Sequence, residues 1–172
     1  VAAQHSQCFA SWFSHIPGLK VVSPWSGADA KGLLKSAIRD PNPVIFLEHE
    51  LLYGEKFTVP DDQEYTTPIG VANVEKIGRD VTVISYSRMV QVALEASDIL
   101  ASEGIEVEVI NLRTLRPLDI DTIISSLKKT NRIVSLEEGW PVAGIGAEIS
   151  AIVMEKGFDY LDAPVVRVCG AD

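Results

Sequence analysis

The sequence predicts an α/β fold of three layers, α/β/α, in which a mainly parallel sheet lies between helices. Two observations carry that prediction. Short apolar runs recur along the chain, and between them lie stretches whose apolar positions repeat at three- and four-residue spacing, the period of a helix face. Strands recurring between helices imply crossover connections and a parallel sheet covered on both sides. The right-handed crossover rule then favours an open, doubly wound layer over a barrel, which needs eight such units. Composition agrees: 172 residues, 47% hydrophobic and 23% charged, exclude a disordered chain and supply one large or two small cores.

The elements follow in order. After Val21-Val22, Ser26 or Asp29 can cap a helix whose apolar positions are Ala30, Leu33, Leu34, Ala37 and Ile38. Asp40-Pro41-Asn42-Pro43 ends it, because proline disfavours helix at the residue before it. Val44 to Leu47 reads as a buried strand. Residues 54–70, with Pro60, Asp61, Asp62 and Pro68, have no sustained apolar period and read as a linker. A second α/β series begins there. Val71 to Val74 and Val81 to Ser85 flank Gly78-Arg79-Asp80 and read as a hairpin or two adjacent strands. A helix from Met89 to Ser102 stops at Gly104, and Ile105 to Ile110 is a strand. Asp119 caps a helix carrying Ile120, Ile123, Ile124 and Leu127. Ile133 to Leu136 is a strand, Gly144 to Glu155 a helix, and Val165 to Val168 strand-like.

Net charge and the ends bound the function. A charge of −9 argues against a general nucleic-acid or anionic-membrane binder and suits a basic protein partner. The two cysteines, Cys8 and Cys169, form no metal-spaced cluster, and a reducing compartment is expected. No apolar run approaches the roughly 20 residues of a membrane span. The start at Val1 without Met, and the stop directly after a strand, read as an internal piece of a longer chain.

Several residues are candidates for chemistry. His5 sits in the polar run Gln4-His5-Ser6-Gln7 between apolar flanks, either as a proton carrier or as a surface histidine. His15 and His49 stand alone and read as structural. At the end of the first long helix, Ala37 to Asn42, unpaired carbonyls could converge on a cation, or simply meet water or a lysine. Glu137-Glu138-Gly139-Trp140-Pro141, with Gly144 and Gly146, follows a strand, where open α/β sheets place ligands. The adjacent glutamates would repel an anion, so an interface or substrate-approach loop is favoured over a nucleotide cradle. Arg113 and Arg116 can bind a carboxylate, with the acidic surface as the simpler partner. There is no Ser-His-Asp order, P-loop or zinc spacing.

Together these landmarks resemble one family from end to end. Ala3-Gln4-His5-Ser6-Gln7, Pro17-Gly18-Leu19-Lys20-Val21-Val22, Ala37-Ile38-Arg39-Asp40 through Pro43, Leu52-Tyr53-Gly54, Val109-Ile110-Asn111-Leu112-Arg113-Thr114, Arg116-Pro117 and Leu161-Asp162-Ala163-Pro164 follow the pattern of E1 β subunits of 2-oxo acid dehydrogenases, on the pyruvate branch. The resemblance implies a transketolase-like build: residues 1–54 as the rear of a pyrimidine-binding domain, 55–70 as linker and 71–172 as a C-terminal domain truncated at its end. It implies thiamine diphosphate, with magnesium held mainly by an α subunit in an α2β2 heterotetramer. The implied reaction is decarboxylation of pyruvate with acetyl transfer to the lipoyl group of the E2 dihydrolipoyl acetyltransferase, in the mitochondrial matrix or the bacterial cytoplasm. The family's active-site histidine falls on His5, as catalytic and cofactor-contacting residue. A structural potassium ion falls on Ala37, Ile38, Asp40 and Asn42, mainly through backbone carbonyls. The family's cofactor-activating glutamate lies upstream of Val1, so this stretch alone is expected to be inactive. A branched-chain or acetoin homologue and a non-catalytic assembly module are the alternatives.

Overall fold

Two sheets organise the chain, and one strand of the first comes from the far side of the sequence. The computed structural model describes residues 3–171. Its elements are α1 (Ala10–Ser14), β1 (Lys20–Val22), α2 (Gly27–Arg39), β2 (Val44–Phe46), β3 (Asn73–Lys76), β4 (Val81–Ser85), α3 (Met89–Ser102), β5 (Val107–Asn111), β6 (Thr114–Arg116), α4 (Ile120–Thr130), β7 (Ile133–Leu136), α5 (Ile145–Gly157) and β8 (Val166–Val168). The smaller sheet runs β2-β1-β6 and the larger β3-β5-β4-β7-β8.

In the larger sheet β4 pairs in parallel with both β5 and β7, β8 pairs in parallel with β7, and only β3 is antiparallel. Alternation of side chains along each strand builds two faces. Val107 and Val109 pack with Val90 and Ala93 of α3, while Ile84 and Ile110 pack with Ile123 and Leu127 of α4 and Ile149 and Val153 of α5. Helices therefore cover both sides, which is why the central strands read as nearly continuous apolar runs. Because β4 sends its helix to one face and its neighbour β7 sends α5 to the other, the crevice between their carboxyl ends is the topological switch point.

Helix ends match their local chemistry. Ser26 and Asp29 form a reciprocal capping box at the start of α2, so both candidate cap residues are used. At the end of α3, Gly104 N–H bonds Ala101 O at 3.1 Å and Ile105 N–H bonds Leu100 O at 3.1 Å, a Schellman pair made possible by a φ of +82° at Gly104. Asp119 caps α4 through Thr122 N–H at 3.0 Å.

One sequence expectation is corrected. The segments around 71–74 and 81–85 form neither a hairpin nor neighbouring strands, since β5 lies between β3 and β4. The turn joining them lies across the start of β5 instead: Arg79 and Asp80 N–H both bond Glu106 O, and a Cβ on Gly78 would sit 2.6 Å from that oxygen. Thr114–Arg116, unassigned from sequence, crosses to the smaller sheet and pairs antiparallel with β1. The short α1 was likewise unassigned. The stretch read as a linker is laid along α2 as a strap. Lys31 Nζ donates to Pro60 O at 2.5 Å, Ser36 Oγ to Thr67 O at 2.6 Å, Lys35 Nζ to Gln63 O, and Arg39 pairs with Glu64 at 2.9 Å. Two glycines on that face of α2 permit the approach. A Cβ on Gly27 would lie 2.9 Å from Val59, and one on Gly32 would lie 2.8 Å from Thr67 N.

Candidate functional site

His5 lies on an exposed bend just ahead of α1. The loop around it is closed by Gln7, whose side-chain Nε2 donates to Ala3 O at 2.5 Å. Three residues beyond the imidazole, Cys8 turns inward and packs against the main core. Its Sγ lies 3.3 Å from where a Cβ on Gly139 would stand, so the absence of a side chain there admits the thiol. His5 itself is exposed.

Behind Cys8 lies the switch-point crevice, and a carboxylate of this chain fills it. Glu137 is 3% exposed, and its two oxygens accept from Ile145 N–H at 3.2 Å and Gly146 N–H at 2.7 Å. The N-terminus of α5 thus carries an internal anion where such helices elsewhere hold phosphate. Gly144 and Gly146 serve that carboxylate, since a Cβ on either would come within 2.7 Å and 2.9 Å of Glu137 Oε1. The sequence expectation that the paired glutamates would disfavour an anion cradle holds for a direct reason: one of them is the anion. Tyr86, at the end of β4, donates its hydroxyl to Glu137 Oε2 at 3.1 Å. Burial first, then the Glu137 charge and the neighbouring Cys8, push the Tyr86 phenol far above its ordinary value and keep it a donor. Burial and Glu137 likewise push the Cys169 thiol up. Both cysteines are free thiols.

Glu138 points the other way and joins the two halves of the chain. Its Oε2 lies 2.6 Å from His49 Nε2, and its Oε1 lies 3.6 Å from Arg88. His49 Nδ1 accepts from Leu51 N–H at 3.2 Å, which leaves Nε2 as the nitrogen that donates to Glu138. His49 is therefore structural, as its isolation in the sequence suggested.

Arg113 departs from its expected surface role. Its Nε sits 2.6 Å from Oδ1 of Asp29, a fully buried carboxylate, while Asn111 Nδ2 donates to Asp29 Oδ2 at 2.9 Å. Arg116 donates to the carbonyl of Ser14 at 2.9 Å. Neither guanidinium relies on the acidic surface.

At the end of α2, Asp40 Oδ2 accepts from Lys20 Nζ, and Oδ1 accepts from the backbone and side-chain amides of Asn42 at 2.9 and 2.8 Å. Lys20 first, then Asn42, hold the Asp40 carboxyl down at about 2. Asp40 N–H also bonds Ala37 O at 3.3 Å. The remaining last-turn carbonyls lie beyond the helix ladder. This donor set suits a monovalent ion held by neutral oxygens, because the one carboxylate nearby is already matched by an ammonium. Among the described residues, no group of three or more His, Cys, Asp or Glu side chains is placed to hold a metal ion.

A concavity of about 1030 Å³ opens between α1, residues 115–118 and α5, and His5 is not part of its wall. No helix among the described residues is long and apolar enough to cross a membrane.

The sequence alone did not point to the Tyr86–Glu137 bond, the Lys20–Asp40 pair or the buried Asp29–Arg113 pair. Each joins groups distant in sequence, and the local signal for the last was the capping position of Asp29.

Comparison with known proteins gives a consistent result. Residues 70–172 match the family described as "Transketolase, C-terminal domain", and residues 1–56 match "Transketolase, pyrimidine binding domain". Over its whole length the chain is 63% identical to a Dictyostelium discoideum protein named pyruvate dehydrogenase E1 component subunit beta, mitochondrial, covering 49% of that protein. The human protein of that name is 57% identical, again with 100% of this chain and 49% of the relative covered. A bacterial relative from Rhizobium meliloti, named pyruvate dehydrogenase E1 component subunit beta, is 55% identical over 100% of this chain and 37% of its own length. Thus the chain spans about half, or less, of the length of the curated relatives it matches. Among solved structures, a protein titled "Split gene transketolase, inactive beta4 tetramer" superposes with a TM-score of 0.78 at 25% identity, covering 95% of this chain and 52% of that one.

Proposed function

Since the chain belongs to the transketolase family, whose C-terminal domain accounts for residues 70–172, we propose that it works as part of the β subunit of a pyruvate dehydrogenase E1 component. The observation that carries this reading is identity of 63% with a protein so named, sustained along the full chain. The reaction proposed is thiamine-dependent oxidative decarboxylation of pyruvate with acetyl transfer to a lipoyl group, within a complex that includes an E1 α subunit and the E2 acetyltransferase. The place proposed is the mitochondrial matrix, or the cytoplasm if the source is bacterial, following the names of the relatives.

Thiamine diphosphate, when bound, supplies the nucleophilic carbon and electron sink that such a decarboxylation needs. The contribution of this chain is His5. An imidazole takes up and releases protons near neutrality, and this one stands exposed on a loop closed by Gln7. Its proposed part is to hold and deliver a proton at Nδ1 or Nε2 while the acyl group passes to lipoyl. Magnesium is assigned mainly to the α subunit. Potassium is assigned to Ala37, Ile38, Asp40 and Asn42, supported by their place at the end of α2, where the last carbonyls lack ladder partners. The ion would fix the end of α2 and so the strap and β2 that follow.

The test is a full-length β chain assembled with its α partner. Pyruvate should be decarboxylated faster than a branched-chain 2-oxo acid, and a free lipoyl domain should become acetylated. His5→Ala should lower acetylation by about 10²–10⁴-fold. Normal acetylation by that variant would remove His5 from the chemistry.

A further inference from the structure

We infer that Tyr86 and Glu137 are positioning residues for the loop that carries His5, which they grip through Cys8. This inference rests on the role proposed for His5 and adds to it the means by which the imidazole is held.

The loop has no ladder of its own. Residues 6–9 carry no regular secondary structure, and α1 begins only at Ala10. The Gln7-to-Ala3 bond closes the loop on itself. Cys8 is the inward-facing residue of this stretch, and its Sγ rests against Gly139. Glu137 Oε2 lies 3.3 Å from where a Cβ on Gly139 would stand, and it accepts from the Tyr86 hydroxyl at 3.1 Å. Glu137 in turn is fixed by two backbone amides at the start of α5. Polar contacts therefore run from the α5 N-terminus through Glu137 to Tyr86, and the bare face of Gly139 sets Glu137 Oε2 and the Cys8 thiol about one spot, three residues from His5. Tyr86, Glu137 and the start of α5 lie at the switch-point crevice, at the larger sheet's carboxyl edge. The crevice that would otherwise take a ligand anion holds instead the Glu137 carboxylate, with Gly139 leaving room between it and Cys8. A buried carboxylate with all its partners satisfied is a rigid mount, because every displacement leaves an ion or an amide unpaired.

Tyr86→Phe tests this with the smallest change, removing one hydroxyl and keeping the ring. It is measured in the full-length β chain assembled with its α partner. Acetyl transfer to a free lipoyl domain should fall about tenfold in kcat, with KM for pyruvate within about twofold. Cys8→Ala should fall similarly, Cys8→Ser should recover most of the loss, and the Tyr86→Phe/Cys8→Ala double variant should be no worse than either single one. Unchanged transfer in Tyr86→Phe, additive losses, or a loss that simply follows a lowered melting temperature overturns the inference. His5→Ala is assayed alongside. If it abolishes transfer while Tyr86→Phe does not, the positioning role alone fails. If His5→Ala leaves transfer intact, the reading of His5 fails.

Discussion

Arg113 and Asp29 meet where the two halves of the chain join, Nε to Oδ1 at 2.6 Å, with the carboxylate fully buried and the guanidinium side chain only 16% exposed. Asp29 belongs to α2 and Arg113 follows β5, so this ion pair fastens the smaller sheet's helix to the larger sheet. Asp29→Ala leaves the guanidinium facing no anion and also removes half of the capping box. Stability should drop by about 3–5 kcal/mol, read from the shift of the denaturant midpoint. A loss below about 1 kcal/mol would show that water replaces the carboxylate.

Gly146 and Gly54 should respond oppositely to the same substitution. A Cβ at Gly146 would stand 2.6 Å from Ser135 Oγ and 2.9 Å from Glu137 Oε1, whereas Gly54 has nothing within 4 Å. Gly146→Ala is expected to destabilise by about 1–3 kcal/mol by forcing Glu137 off its amides. Gly54→Ala should be neutral or add about 0.4–1 kcal/mol by restricting the unfolded chain. Thermal unfolding of the two variants, side by side, decides between a crowded mount and a tolerant one.

The Lys20–Asp40 pair gives a pH dependence of known sign. Asp40 is held at about 2 instead of its ordinary 3.8. A depressed carboxyl contributes stability that is present in full above about 4 and is lost as pH falls through about 2. In urea unfolding from pH 5 to pH 2, the native chain should lose its advantage over Lys20→Met across that window. A constant gap between the two at all pH values would mean that Lys20 acts through its methylene stem alone.

The potassium assignment can be read without any catalytic assay. Exchange of potassium for choline should lower the melting temperature by a few degrees, and Asp40→Ala should abolish that difference. An equal response to potassium in the variant and the parent would move the ion away from the α2 terminus.

Much of the fold was legible locally. Met89 to Ser102 and Ile133 to Leu136 coincide with α3 and β7 because apolar period and stop signals agree there. The misread hairpin shows the limit: Gly78-Arg79-Asp80 is a good turn, but which strand it sets beside β4 depends on pairing with β5, far along the chain. Thr114–Arg116 was invisible for a related reason, since a three-residue strand exists only where β1 offers it a partner. At the candidate site, the His5 motif and the Glu137–Pro141 run stood out because each is contiguous. Tyr86 did not, because nothing in its neighbourhood reveals that a tyrosine closing one strand will donate to a glutamate closing another.

By itself the sequence determined the layered α/β class, the helix ends and the family pattern in which His5 sits, since these depend on periodicity, capping and contiguous motifs. Tertiary structure alone decided that α5's amides hold Glu137, that Asp29 is buried against Arg113, and that the proline-rich stretch lies along α2. Those outcomes turn on side chains from remote segments competing for the same buried charges and amides, and desolvation selects among such partners only once the layers have packed.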